Sequence, residues 1–278
     1  MMTSKSKTTT TKRKKQTLTI RAVHPNSGVE AWYRRQLDKQ VQEMQASAVY
    51  WLSANYRASG AEVAMDASPA VMMRNAMHKL AKRWTRRFDD MAQKLADRFA
   101  NDAMKNADVS LATAFKDAGF TVEFKMTSQM NNALQATIAE NVGLIRSIPE
   151  KYFTEVEGLV MRSVARGRDL SYLTDELQKR YGITRNRAAF IALDQNNKAT
   201  SVLQIARQRS LGIIEGEWEH SGAGKEPRPG HVAAGKRKQR FRLDKGCYID
   251  GEWIFPGQKP RCKCTHRIVI PNAFLPAR

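Results

Sequence analysis

The sequence predicts an α+β fold that is mostly α, with an elongated N-terminal helical body followed by a small β-rich C-terminal domain. Three observations predict it. Apolar residues recur at helical spacing through most of the first 210 residues, in stretches that hold few Gly or Pro. Past Gly212 the pattern changes to alternation with a period of two, and glycine and proline become frequent. Asp250-Gly251 stands between two β-prone triplets, the short-range signature of a hairpin.

Residues 1–26, rich in Ser, Thr and Lys, read as a disordered basic arm, because such a composition cannot bury enough surface to offset the entropy of ordering. Residues 27–147 read as an N-terminal helical region. Within it Trp32, Leu37, Val41, Met44, Ala48, Trp51 and Leu52 form one helical stripe. Ser68 as cap and Pro69 at the first helical position start a second helix, which reaches about Lys116 with its weakest stretch at Asn106-Ala107-Asp108. Ala118-Gly119 ends it, and a third helix runs from Ser128 to about Ser147.

A second region, residues 148–271, is predicted to hold helices over 148–211 and a basic β-rich part over 212–271. Pro149 opens a helix that ends near Gly167. Ser171 caps a short one through Arg180, stopped by Gly182, and Thr184 caps the last, which stops at Gly212. A strand then places Ile214, Gly216, Trp218 and His220 on one face and Glu215, Glu217 and Glu219 on the other. Residues 221–230 form a Gly/Pro-rich loop, residues 261–270 a further strand stopped by Pro271, and residues 272–278 a short tail. The twelve methionines are adaptable core fillers.

The formal net charge of +20 is placed unevenly. Residues 1–21 hold seven Lys/Arg and no acid, and residues 222–270 hold twelve against four Asp/Glu. Both ends suit a polyanion or an acidic protein surface. The cations expected to make such contacts are Lys12, Arg13, Lys14, Lys15, Lys236, Arg237, Lys238, Arg240, Arg242, Arg261, Lys263 and Arg267. No apolar run approaches the ~18 residues needed to span a bilayer, so no membrane contact is expected. The basic N-terminus lacks the apolar core of a secretory signal, and three cysteines do not make a disulfide framework, so a reducing cytoplasm is the expected compartment.

Two of those cysteines lie in Cys262-Lys263-Cys264-Thr265-His266. In a strand, Cys262, Cys264, His266, Ile268 and Ile270 share the core face, while Arg261, Lys263, Thr265 and Arg267 share the other. The thiols then occupy the places of small buried hydrophobes, which is the favoured reading. A redox pair and a structural zinc are the alternatives. The zinc would draw on Cys262, Cys264 and His266, with His231, Cys247 or His220 brought in from loops. Same-face neighbours in an extended strand lie about 6.5–7 Å apart at Cα, so two thiolates converge on one ion only if the strand bends.

One ordered array carries a family resemblance. Arg187-Ala-Ala-Phe-Ile-Ala-Leu-Asp194-Gln195-Asn-Asn-Lys198 is followed by a strand ending in Trp218, then Arg228-x-x-His231-x-x-x-Gly235, then Pro-Gly-x-x-x-Arg261-Cys262-x-Cys264. Its order and spacing resemble the phage head morphogenesis family of phage Mu F-like minor head proteins, over roughly residues 150–270. The chain departs from the family pattern at Ala234 and in the very basic residues 236–242. The resemblance implies a low-copy minor capsid protein of a tailed phage, without enzymatic activity or cofactor. It would act in head morphogenesis near the portal and meet portal, major capsid or scaffold proteins and packaged double-stranded DNA. Its implied location is the interior of the virion head, reached from the host cytoplasm during assembly.

Physical roles for the array are structural. Asp194 and Lys198 are spaced as an i,i+4 ion pair. Gln195 lies in an apolar stripe and needs a buried partner. Arg228 and His231 order the Gly/Pro-rich loop through backbone hydrogen bonds. Other function classes stay open: a metal-dependent DNA-directed hydrolase using His231 and Asp250, or a general basic DNA-binding protein whose contacts are not sequence-specific.

Overall fold

The computed structural model describes residues 17–61, 68–167, 169–224 and 226–270. Four long helices make the body: α1 (Ser27–Ala61), α2 (Pro69–Asp117), α3 (Ser128–Ala165) and α4 (Leu170–Ser210). They pack around a bundle, α1 on α2, α2 on α3, α3 on α4 and α4 on α1. The α1 stripe points inward as expected at Leu37, Val41, Met44, Ala48 and Leu52, whereas Trp51 is exposed. Tyr33 enters beside that stripe and stacks on Phe99 of α2 at 4.4 Å between ring centroids.

The helices are longer and fewer than the local signals suggest. α2 runs unbroken through Asn106-Ala107-Asp108, because Ala103, Ala107 and Leu111 keep one face buried there. α3 passes through Pro149. The proline removes one backbone donor, but Ile145, Ile148, Tyr152 and Phe153 are buried on either side of it, and this burial outweighs the local penalty. α4 absorbs Gly182 and Thr184. The Thr184 hydroxyl donates to the Arg180 carbonyl one turn back at 2.9 Å, so it sits inside the helix rather than capping one. The cap of α4 is Asp169, whose carboxylate accepts from the Tyr172 N–H at 2.8 Å.

Past Gly212, which has φ +79°, the chain forms β2 (Glu215–Glu219), α5 (Pro229–Lys236), β3 (Arg240–Arg242), β4 (Cys247–Ile249), β5 (Glu252–Ile254) and β6 (Thr265–Ile270). The Asp250-Gly251 turn has positive φ at both residues, 52° and 86°, and joins β4 to β5 as the expected hairpin. β2 pairs antiparallel with both β6 and β3. Ile214 lies outside β2 and is exposed, and Glu217 is buried rather than solvated. β6 starts at Thr265, so residues 261–264 are not strand.

The arm predicted for residues 1–26 does not extend that far. Leu18–Ile20 forms β1, which pairs antiparallel with β6 in the register Leu18↔Ile270 and Ile20↔Ile268. The four-stranded sheet therefore has the order β1-β6-β2-β3. Ile20 and Val23 join the core beneath it with Leu111 and Phe115 of α2, Ile205 of α4, Trp218, Phe241 and Ile268. The β-rich part is thus built onto the ends of α2 and α4. Lys12, Arg13, Lys14 and Lys15, and the tail of residues 272–278, lie outside the described residues.

Candidate functional site

α4 carries the polar residues that join the bundle to the sheet. The Tyr33 hydroxyl donates to Asn141 Oδ1 at 3.0 Å, Asn141 Nδ2 donates to Gln195 Oε1 at 3.0 Å, and Gln195 Nε2 donates to Glu140 Oε1 at 2.9 Å. Lys198 Nζ lies 3.5 Å from Glu140 and 3.1 Å from Asp194, the expected i,i+4 pair. Asp194 Oδ1 in turn accepts the backbone N–H of Arg261 at 2.9 Å. One relay of polar groups therefore runs from α1 to the loop that leads into β6. Arg187 stands apart from it, its guanidinium donating to Ser147 Oγ of α3 at 2.8 Å.

Farther along α4, Gln204 Nε2 reaches the Val23 carbonyl at 3.1 Å and Arg207 grips Asp108 of α2. Gln208 Oε1 meets His266 Nε2 at 2.9 Å. Asn141, Glu140, Arg207, Asp108 and Gln208 were not singled out from the sequence. The signal that could have found some of them is Asp194-Gln195-Asn196-Asn197, a polar run on a helix with too few exposed positions to leave it all in water.

The Arg261 amide held by Asp194 has a structural consequence. Arg261 adopts φ +60°, and the Cys262 N–H donates to the Lys259 carbonyl at 2.9 Å, so the chain turns sharply just before the two cysteines. Cys262 and Cys264 are consequently on an irregular lead-in rather than on an extended strand. Both are buried, while Arg261 and Lys263 are exposed. His231, buried on α5, turns its Nδ1 toward them, 3.5 Å from Cys262 Sγ and 3.7 Å from Cys264 Sγ. These three ligand atoms all lie within 4.8 Å of one another. Trp218 closes the site with its ring edge-on to His231 at 5.1 Å between centroids.

Local electrostatics differ between the sulfurs. The hydrogen bond from Cys264 pulls the Cys262 thiol well below its usual range, helped by His231 and by the backbone N–H groups of Cys264 and Gly257. That same bond pushes Cys264 up. His266, expected among the metal ligands, is not in this group. It faces Gln208, and burial draws its pKa down to about 4, which keeps the imidazole neutral. Cys247 is also outside the group, and burial raises its thiol to about 11. Asp250 is outside this group, and its carboxylate lies against the backbone of Gly230, where an added Cβ would clash with its oxygens.

Two glycines bring backbone close at this site. A Cβ on Gly235 would lie 2.7 Å from His220 Cβ, which explains why α5 can press on the end of β2. Gly257 has φ +77°, and a Cβ there would lie 3.0 Å from the Asn197 carbonyl oxygen of α4. Gly257→Ala is expected to lose roughly 1–3 kcal/mol of unfolding free energy in a urea titration, because the left-handed conformation and the backbone contact oppose the methyl together. A loss under a few tenths would show that the loop does not need this approach.

Arg228 does order the loop, its guanidinium donating to the Pro260 carbonyl at 3.1 Å. His231 does not order it through backbone, since its Nδ1 is given to the thiols. Of the expected contact cations, Lys236, Arg237, Lys238, Arg240, Arg242, Arg261 and Lys263 are exposed. Arg242 is tied to Asp244 at 2.7 Å, Arg240 donates to Thr17 Oγ1 at 2.7 Å, and Arg267 is half-buried 3.8 Å from Glu219. Lys236, Lys238 and Lys263 have no ion-pair partner among the described residues.

The polar relay, the His–Cys–Cys group and Trp218 all fall within residues 154–267 apart from Tyr33, Glu140 and Asn141, and residues 154–267 match the family described as Phage Mu protein F like protein. This segment is phage Mu F-like. The chain is also 28% identical over 263 residues to a protein of Haemophilus influenzae described as uncharacterized. That alignment covers 91% of this chain and 56% of the relative, so the chain spans little more than half of that protein's length. No solved structure matches. The Mu F-like segment ends inside β6 and does not include β1, so its fold is completed by residues outside it. Among the described residues, no helix is long and apolar enough to cross a membrane.

Proposed function

We propose that the protein is a non-enzymatic minor component of a tailed-phage head that acts in head morphogenesis. It is incorporated in few copies near the portal, and its basic face meets packaged DNA or acidic surfaces of portal and shell proteins. The reading is supported by the Mu F-like segment, and the observation that carries the contact surface is the run of exposed cations from Lys236 to Arg242. These residues occupy the C-terminal end of α5, the following turn and the edge strand β3. Lys236, Arg237, Lys238 and Arg240 are exposed without an ion-pair partner among the described residues, whereas Arg242 is engaged by Asp244, so these four cations dominate the field outside this edge. Beside them the exposed rings of Tyr248 and Trp253 pack at 5.3 Å between centroids, but with the cations on a turn and a strand the expected DNA contact is chiefly to phosphate and independent of base sequence.

Association with DNA of mixed sequence is therefore expected to weaken steeply with salt, log K falling by about 0.9 per phosphate neutralised for each decade of salt. Changing Lys236 and Lys238 together to Glu flattens that slope. Fluorescence anisotropy with a labelled duplex at several salt concentrations measures both. A salt-independent isotherm, or a slope unchanged in the double variant, removes this surface from DNA contact. The assembly role is tested separately by probing purified procapsids and mature heads for the protein. Its absence from both overturns the reading.

A further inference from the structure

We infer that His231, Cys262 and Cys264 bind a zinc ion that pins α5 to the turn leading into β6. The argument begins with distance. Zinc held tetrahedrally at about 2.3 Å from sulfur and about 2.0–2.1 Å from imidazole nitrogen places those ligand atoms roughly 3.6 Å apart. The observed separations from His231 Nδ1 are 3.5 Å to Cys262 Sγ and 3.7 Å to Cys264 Sγ. Two of the edges of such a polyhedron are therefore already at coordination length, and all three ligand atoms lie within 4.8 Å of one another.

Chemistry and burial select the ion. Two thiolates and one imidazole are soft and borderline donors, which suit zinc and disfavour magnesium or calcium. All three residues are buried, and a divalent cation with two thiolates is electrically neutral there, so the set avoids an uncompensated interior charge. Backbone N–H groups of Cys264 and Gly257 are directed at Cys262 Sγ, the outer contacts that stabilise a coordinated thiolate. The buried Trp218 indole, the donor of a side-chain hydrogen bond to Cys264, is a further polar group inside this wall. Binding through Nδ1 requires the proton of His231 to sit on Nε2. Three protein ligands leave one tetrahedral position for water.

The bend that makes this possible is specific to residues 257–264. Without the Arg261 turn, Cys262 and Cys264 would lie a full strand repeat apart along one face. Asp194, through its bond to the Arg261 amide, is thus a positioning residue for the sulfurs. The ion's work is mechanical: it joins helix α5 to the irregular lead-in of β6.

The test uses the full chain purified under reducing conditions. About one zinc per chain is expected by elemental analysis, together with a lowered unfolding midpoint after chelation. Replacing the zinc by cobalt should give a thiolate charge-transfer band and the intense visible bands of a tetrahedral site. Cys262→Ser and Cys264→Ser should each lose the metal and the band, while Cys247→Ser, which alters a buried thiol outside the group, keeps both. A folded wild-type protein that carries no zinc and gives no cobalt–thiolate band overturns the inference. So does a Cys262–Cys264 disulfide in the reduced preparation, or a metal content that Cys262→Ser leaves unchanged. The wild-type measurements stand even where a variant does not fold.

Discussion

Arg207→Met is expected to lower the free energy of unfolding by roughly 3–5 kcal/mol, the cost of leaving one member of a buried ion pair alone. The Arg207 side chain is 4% exposed and holds Asp108 with two parallel bonds, Nε to Oδ1 at 2.8 Å and Nη2 to Oδ2 at 2.6 Å. Its third nitrogen, Nη1, donates to the Lys125 carbonyl at 2.6 Å, and the guanidinium lies over the Phe124 ring at 4.9 Å. One side chain therefore fastens α4 to α2 and to the connection between α2 and α3. Methionine fills much of the volume but abandons the carboxylate and the carbonyl. Because the Asp108 side chain keeps 24% of its surface in solvent, the loss should fall near the lower end of that range. Adding Asp108→Asn should recover part of it, since a neutral amide is less costly to leave unpaired. Urea unfolding followed by circular dichroism measures the series, and a single-variant loss below about 1 kcal/mol would contradict the assignment.

The second large effect is expected at Trp218. Its side chain is 1% exposed and packs edge-on against both His231 and Phe241, whose ring centroids lie 5.1 and 6.2 Å away. Trp218→Ala should cost roughly 3–5 kcal/mol, the usual range for removing a large aromatic from a filled core. Trp218→Phe separates two contributions. It keeps an aromatic ring beside His231 and removes the Nε1–H, so its smaller loss reports shape while any further change in cobalt spectrum reports the indole proton. Equal losses for the two variants would mean that the ring itself adds little. Thermal unfolding of both variants, with and without chelator, gives the comparison.

The boundary between helix and sheet was legible because it depends on local chemistry. Gly212 adopts φ +79° at the end of α4, and Asp250-Gly251 forms the turn favoured by two residues that tolerate positive φ. The number of helices was not legible. Pro149 and Gly182 are strong local stop signals, yet both sit inside helices whose flanking residues are buried by distant segments. β1 was missed for a related reason: three residues are too few to show an alternation, and the strand exists because β6 offers its edge.

At the site, the inward direction of Cys262 and Cys264 followed from alternation, although the backbone there is not extended. The partner of the thiols did not follow. Alternation put His266 in line with them, whereas the Arg261 turn rotates the lead-in away from the strand and gives that place to His231. The turn is set by Asp194, 67 residues earlier, which no local pattern encodes. Gln195 was read as needing a buried partner, and both ends of its amide are engaged, by Asn141 and Glu140.

Pairing of β1 with β6 joins positions about 250 residues apart in the chain. During synthesis, Leu18–Ile20 is made long before the β6 residues that pair with it. Until then Ile20, Val23, Leu111 and Phe115 have no complete interior to enter, and the nascent polypeptide must keep them from associating elsewhere. Closing so large a loop carries a higher entropic cost than the contacts within the bundle, so the sheet is expected to complete after it. A fragment cut at residues 154 and 267 would lack both the first strand and the three residues of β6 that pair with it, and would emerge as an unfinished torso.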